Sequence, residues 1–192
     1  MKIVSSAALL AVGLAVMTGC SSKQEAVMTN TNAECVIEGV EAPTWVCGGN
    51  ELEGYYTAVG GAPSSKLGES FSRREALANG RSNLAQQIET TVKDKVATFA
   101  QSTGVGDSEV ADKVSTQVSK QVAKVTLKGS KQMKYWQAPS KEIYLLVVVP
   151  ESTVNEEVKK QVTSSYKNND ALWQQFQAKN AMAELEQEFP TK

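Results

Sequence analysis

The chain has 192 residues and carries 20 Lys plus Arg against 21 Asp plus Glu, a formal net charge of −1, so no charge excess points to nucleic acid. Histidine is absent, which removes the commonest neutral-pH acid/base and metal ligand and excludes a zinc hydrolase or a Ser-His-Asp enzyme. Beyond the N-terminal segments roughly 155 residues remain, enough for one domain with its own core.

Residues 1–19 have the layout of a secretory signal peptide: Lys2 supplies the charge and Ile3 to Val16 form an apolar run interrupted by Ser5, Ser6 and Gly13. The run is too short and wrongly flanked for a transmembrane helix. It closes on Val16-Met17-Thr18-Gly19-Cys20, which resembles the lipobox of bacterial lipoproteins, with Met17 in place of the more usual Leu. Cys20 is then the first mature residue and carries diacylglycerol; the alternative is an ordinary signal peptide with a free cysteine nearby. Two or more acyl chains hold a protein on a membrane almost irreversibly. Ser21 and Ser22, where an Asp would favour inner-membrane retention, direct the expectation to the outer membrane, periplasmic face. Residues 20–34 are polar and unpatterned, a flexible tether with a reach of roughly 20 Å.

Cys35 and Cys47 follow, and in an exported chain they are expected to pair, pinning Pro43-Thr44-Trp45. The alternatives are two buried thiols or, least favoured by the spacing, a redox pair. Tyr55 to Gly60 reads as a short strand ended by Gly60-Gly61-Ala62-Pro63, a turn without the spacing of a phosphate-binding loop. From Ser70 to Ala100, Leu77, Leu84, Ile88, Val92, Val96 and Phe99 mark one face of a long helix. At about 45 Å it outruns the strands, so one end should project, or the helix should kink near Asn79-Gly80. Gly104 and Gly106 end it. Asp107 is placed to cap a second helix carrying Val110, Val114, Val118 and Val122.

From Ala123 the period changes to two. Val125, Leu127, Gly129, Lys131, Met133 and Tyr135 alternate with Lys124, Thr126, Lys128, Ser130, Gln132, Lys134 and Trp136. The second set is basic, either a solvated or lysine-protected edge or, through Lys124, Lys128, Lys134 and Trp136, a surface for an acidic partner such as a neighbouring subunit. After the Ala138-Pro139-Ser140 turn, Glu142 to Val149 reads as a central strand covered on both faces. Thr153-x-x-Glu156 resembles a capping box opening a helix with Val154, Val158, Val162 and Tyr166 on one face. A last helix is expected from Ala171 to about Phe189. Ala178, Met182, Leu185 and Phe189 mark one side, whereas Leu172, Trp173 and Phe176 lie well round from it and make a second candidate contact surface, unless all tuck into one core. Glu184, Glu186 and Glu188 offer a complement to the lysine-bearing strand.

Pro43-Thr44-Trp45, Tyr56-Thr57-Ala58-Val59-Gly60, Arg74-Glu75-Ala76-Leu77-Ala78 with Leu84-Ala85-Gln86-Gln87-Ile88, and Ile143-Tyr144-Leu145-Leu146-Val147 together resemble the Lpp-twenty family of small outer-membrane lipoproteins. The chain is similar in particular to a flagellar assembly member of that family. The resemblance spans residues 43–150 and implies an α+β fold, a strand-helix-strand-strand (SHS2-like) domain with its long helix packed on a small antiparallel sheet; the chain departs from a minimal member by its Cys35/Cys47 segment and by a helical extension, residues 151–192, of what composition makes a single domain 35–192. It also implies no known catalysis and, for flagellar members, assembly into rings or discs. Two functions follow as expectations. One is a scaffolding lipoprotein that self-assembles or docks on an envelope protein. The other is a periplasmic binding module for a glycan or lipid fragment, with Trp45, Trp136 and Trp173 as natural lining. No cofactor beyond the covalent lipid and no metal is expected; an enzyme would have to run on carboxylates such as Glu69 with Glu75 or Glu156 with Glu157.

Overall fold

A computed structural model describes residues 34–49 and 52–191. In chain order it contains β1 (Val36–Ile37), β2 (Val40–Glu41), a 3-10 turn (Thr44–Cys47), β3 (Tyr55–Ala62), α1 (Glu69–Thr103), α2 (Ser108–Thr126) and a second 3-10 turn (Leu127–Gly129). These lead to β4 (Lys131–Gln137), β5 (Ile143–Pro150), α3 (Glu151–Lys167), α4 (Asp170–Ala178) and α5 (Ala181–Glu188). The result is the mixed α+β architecture expected, a long helix on a small antiparallel sheet with helices after it.

The apolar run of β5 forms the middle strand, antiparallel to β3 on one side and β4 on the other. Alternation sends Ile143, Leu145, Val147 and Val149 to the helices, and Leu146 and Val148 to the opposite, outer face. β3 does not end at Gly60 but continues through Gly61 to Ala62, and α1 does not kink at Gly80. Both glycines serve close approach. A Cβ on Gly60 would fall on the Ala76 carbonyl oxygen and the Gly80 amide nitrogen, and one on Gly80 would come within 2.6 Å of Val147 Cγ2. Strand and helix backbones touch there because neither has a side chain.

Along α1 the buried positions Ser72, Ala76, Gly80, Leu84, Ile88, Val92, Val96 and Ala100 recur every four residues. At 3.6 residues per turn each such step advances the stripe by about 40°, so it winds round the helix. Ala76 accordingly packs with Ala62, Ile143 and Leu145 of the sheet, while Val96 and Phe99 join the helical core. The far end of the helix therefore does not project: Phe99 meets Phe176 of α4 with ring centroids 6.3 Å apart.

Asp107 caps α2 as expected, its carboxylate accepting from the Val110 amide at 2.9 Å. The helix runs on to Thr126, however, so residues 123–126 are not strand. Val122, Ala123 and Thr126 are buried and Lys124 and Val125 exposed, a helical pattern that mimics alternation over so short a stretch. Similarly, α3 begins at Glu151 directly after Pro150 and not at the Thr153-x-x-Glu156 box, because the fixed φ of Pro150 already ends the strand. Its stripe of Val154, Val158, Val162 and Tyr166 is wholly buried.

The expected final helix is two. Asn180 adopts the left-handed conformation at φ 52°, separating α4 from α5. That turn brings Phe176 of one and Ala181 and Leu185 of the other, followed by Phe189, into the same core, while Ala178 and Met182 stay exposed.

In this core the Tyr166 hydroxyl is buried without a hydrogen-bond partner among the described residues. An unsatisfied buried hydroxyl costs about 1–3 kcal/mol, so Tyr166→Phe should raise stability by about 1 kcal/mol in a denaturant titration; a loss of that size would show a partner for the hydroxyl. Burial also pushes the Tyr166 and Tyr56 hydroxyls above the ordinary 10.0. The folded state then holds these protons longer than the unfolded one, so stability owed to them is complete below pH 10 and falls as pH rises beyond it.

Candidate interaction surface

The outer face of the sheet is half covered. Cys35 and Cys47 form the expected disulfide, with Cα atoms 5.8 Å apart, closing residues 35–47 into a strap. Within it Glu38 and Gly39 both have positive φ, the geometry of a tight hairpin turn between β1 and β2. The Ala42 amide donates to the Cys35 carbonyl at 2.7 Å. Trp45 is buried against Leu146 and Val148, with Val46, Val59, Trp136 and Tyr144 around it. The strap is pinned at the β4–β5 turn, where the Ser140 amide donates to the Glu38 carboxylate at 2.8 Å. Burial first, and then the Glu142 carboxylate with a smaller share from Glu38, pushes the neighbouring Tyr144 hydroxyl up.

The other half of this face is open. Tyr55, Gly129, Lys131, Gln132, Met133, Val148 and Pro150 line a groove of about 420 Å³ where β3 and β4 start and β5 ends. The two sheet edges are also unequal. On the β3 side, Asn79 and Asn83 of α1 donate their amides to the Gly61 and Val59 carbonyls at 3.1 and 2.9 Å. Among the described residues β4 pairs only with β5, and it shows Met133 and Tyr135 to solvent. A bulge between Gln132 and Lys134 and the flanking lysines are the usual devices that keep such an edge from pairing at random. The bulge also resets alternation: Lys131 lies opposite Val148, Lys134 opposite Leu146 and Trp136 opposite Tyr144, all on the outer face, while Tyr135 lies opposite Leu145 on the inner one. The Arg73 guanidinium sits 5.0 Å from the Tyr135 ring centroid.

Among the candidate residues, Cys20 lies outside the described residues. Lys134 and Trp136 share the outer face, but Lys124 belongs to the last turn of α2 and Lys128 to the turn before β4, so the four do not form one strand face. Leu172, Trp173 and Phe176 follow the alternative of tucking into one core, with Leu172 and Trp173 left half-buried. Phe176 is 1% exposed, its ring centroid 5.2 Å from those of both Trp173 and Tyr166, and Leu172 and Trp173 pack on the same core. Trp45 and Trp136 meet on the outer face, whereas Trp173 packs among the helices, so the three tryptophans do not line a common groove. The acidic tail does not reach the lysine-bearing strand either. Glu186 pairs with Lys159 of α3 at 2.6 Å and Glu184 accepts from Ser102 of α1 at 3.4 Å.

Glu69 and Glu75 are exposed on α1, Glu69 accepting from the Tyr135 hydroxyl at 3.4 Å. On α3, Glu156 is exposed and Glu157 accepts from Gln161 at 2.6 Å. Among the described residues no group of His, Cys, Asp and Glu is arranged to hold a metal ion, and no helix is long and apolar enough to cross a membrane. The groove and the Glu38–Ser140 pin escaped sequence reasoning. Glu38-Gly39 between two short β-prone pairs was a legible turn signal; the bulge that aims Lys131 into the groove left none.

Strap, half-open sheet and helical backing define a disulfide-clasped α+β module that presents one sheet face to its surroundings. The family model for LPP20 lipoproteins matches residues 43–150, more than half of the chain, from the strap's Pro43 to the end of β5. The chain belongs to the LPP20 lipoprotein family and is thus an envelope lipoprotein, with α3, α4 and α5 beyond the matched segment. No curated protein matches the chain.

Proposed function

We propose that this chain is an outer-membrane lipoprotein, held by lipid on Cys20, whose domain acts without catalysis as a scaffold in the cell envelope, through contacts with a second copy or another envelope protein. A ring or disc associated with the flagellar basal body is the assembly that the family resemblance names. The observation that carries the scaffold reading is the open groove and solvent-facing β4 edge within the family-matched segment. Capture of a glycan or lipid fragment is the second reading, favoured by the groove's volume of about 420 Å³, which falls in the small-ligand range.

The anchor and the role are tested separately. Cys20→Ser should abolish processing and remove the protein from the outer-membrane fraction; a processed variant still in that fraction would refute the anchor. The detergent-solubilised full chain should then show the mass of a defined oligomer or co-purify with a stoichiometric envelope protein. A monomer that instead takes up an envelope glycan or lipid fragment would transfer the assignment to the second reading.

A further inference from the structure

Charge is segregated along this chain to a degree that the net value hides. Residues 34–65 carry Glu34, Glu38, Glu41, Glu51 and Glu53 and no Lys or Arg. Residues 114–141 carry Lys120, Lys124, Lys128, Lys131, Lys134 and Lys141 and no Asp or Glu. No ion pair among the described residues links the two blocks. The ion pairs among the described residues link Lys93 to Asp112, Lys113 to Glu109, Lys159 to Glu186 and Lys160 to Glu157, all outside both blocks.

Position separates the acidic hairpin from the groove lysines as well. The acidic β1–β2 hairpin is pinned at the β4–β5 turn through Glu38 and Ser140, whereas Lys131 lies opposite Val148 beside the groove, toward the other end of β5. The hairpin tip is thus roughly 20 Å of strand from the groove, and none of residues 35–41 lines it. Both ends also leave apolar side chains in water: Val36 is 54% and Val40 40% exposed on the hairpin, and Met133 is 44% and Tyr55 37% exposed at the groove.

We propose that the β1–β2 hairpin of one copy seats in the groove of the next, Val36 and Val40 against Tyr55 and Met133, with Glu34 and Glu41 facing Lys128 and Lys131. The proposal rests on the scaffold reading and names its contact. The apolar pair supplies buried area, and the charges select partner and orientation, since exposed ion pairs are individually weak and salt-screened. Because hairpin and groove are different surfaces, the contact is head-to-tail. Each added copy leaves one hairpin and one groove open, which propagates into a ring if the rotation closes and a filament if it does not.

The test is a charge swap on the detergent-solubilised full chain, followed by sedimentation. One variant carries Glu34→Lys and Glu41→Lys, leaving Glu38 to pin the strap; the other carries Lys128→Glu and Lys131→Glu. All four positions are exposed, and circular dichroism checks that both variants keep the parent fold. Each alone should weaken self-association at least tenfold, and an equimolar mixture should restore it to within a few-fold of the parent, because the acidic hairpin and groove of one variant then meet the basic groove and hairpin of the other. A parent that assembles and ignores both reversals, or a mixture that restores nothing, overturns this interface and leaves the scaffold reading intact. A parent that stays monomeric at every concentration overturns the interface together with self-assembly.

Discussion

Gly60→Ala should destabilise the domain by about 3 kcal/mol or more, at the upper end for inserting volume into a packed core. Its Cβ would fall on backbone atoms of Ala76 and Gly80, which cannot rotate away as a side chain can. Relief requires α1 to move off β3, and the helix is held there along its winding stripe and by Asn79 and Asn83 on the β3 carbonyls. For a domain of this size the loss corresponds to a fall in Tm of roughly 6–12 °C by circular dichroism. Gly80→Ala makes the sharper comparison. In an exposed helix that change is worth about 1 kcal/mol of stability, but here the new methyl meets Val147 Cγ2 at 2.6 Å, so the sign should reverse. If both variants melt with the parent, the backbones do not approach as closely as described.

Removal of the disulfide should have a comparable effect with a different spectroscopic signature. Closing residues 35–47 restricts the unfolded chain by about 3 kcal/mol in the chain-entropy account, and the same link keeps Trp45 over Leu146 and Val148. Without it the strap retains the Glu38–Ser140 hydrogen bond and the Trp45 contact. Cys35→Ala with Cys47→Ala should therefore lower Tm by roughly 6–12 °C, move tryptophan emission to longer wavelength and expose an apolar sheet face that binds a hydrophobic dye. Trp45→Ala with the disulfide intact separates the two contributions: it should reproduce the dye binding and cost about 3–5 kcal/mol through lost burial while the chain-entropy contribution stays in place. Unchanged tryptophan emission in the double cysteine variant would show that the strap holds itself down unaided.

The candidate sites divide along the same physical line as these predictions. Val154, Val158, Val162 and Tyr166 were legible because a stripe at spacing four states directly which side of a helix is buried. The Cys35–Cys47 pair was legible from export and parity, and β5 from an apolar run bounded by a turn and a proline. Leu172, Trp173 and Phe176 look divergent from Leu185 and Phe189 in the sequence because a periodicity argument assumes one continuous helix. The single left-handed residue Asn180 turns the axis, so side chains that look divergent on one helix converge on one core from two. Lys124 and Lys128 were misplaced because four or five residues do not distinguish a helix end from a strand start.

By itself the sequence determined the N-terminal lipobox-like signature, the expectation that Cys35 and Cys47 pair, the buried stripes of the helices and the α+β class. Each of these is written in residue type and spacing, which hold whatever the rest of the chain packs against. Tertiary structure alone decided that Gly60 and Gly80 are contacts and not breaks, that Lys131 shares a face with Lys134, and that half of the outer sheet face stays open. A residue without a side chain carries no mark of what approaches it, and a bulge shifts every later side chain to the other face without changing a single letter.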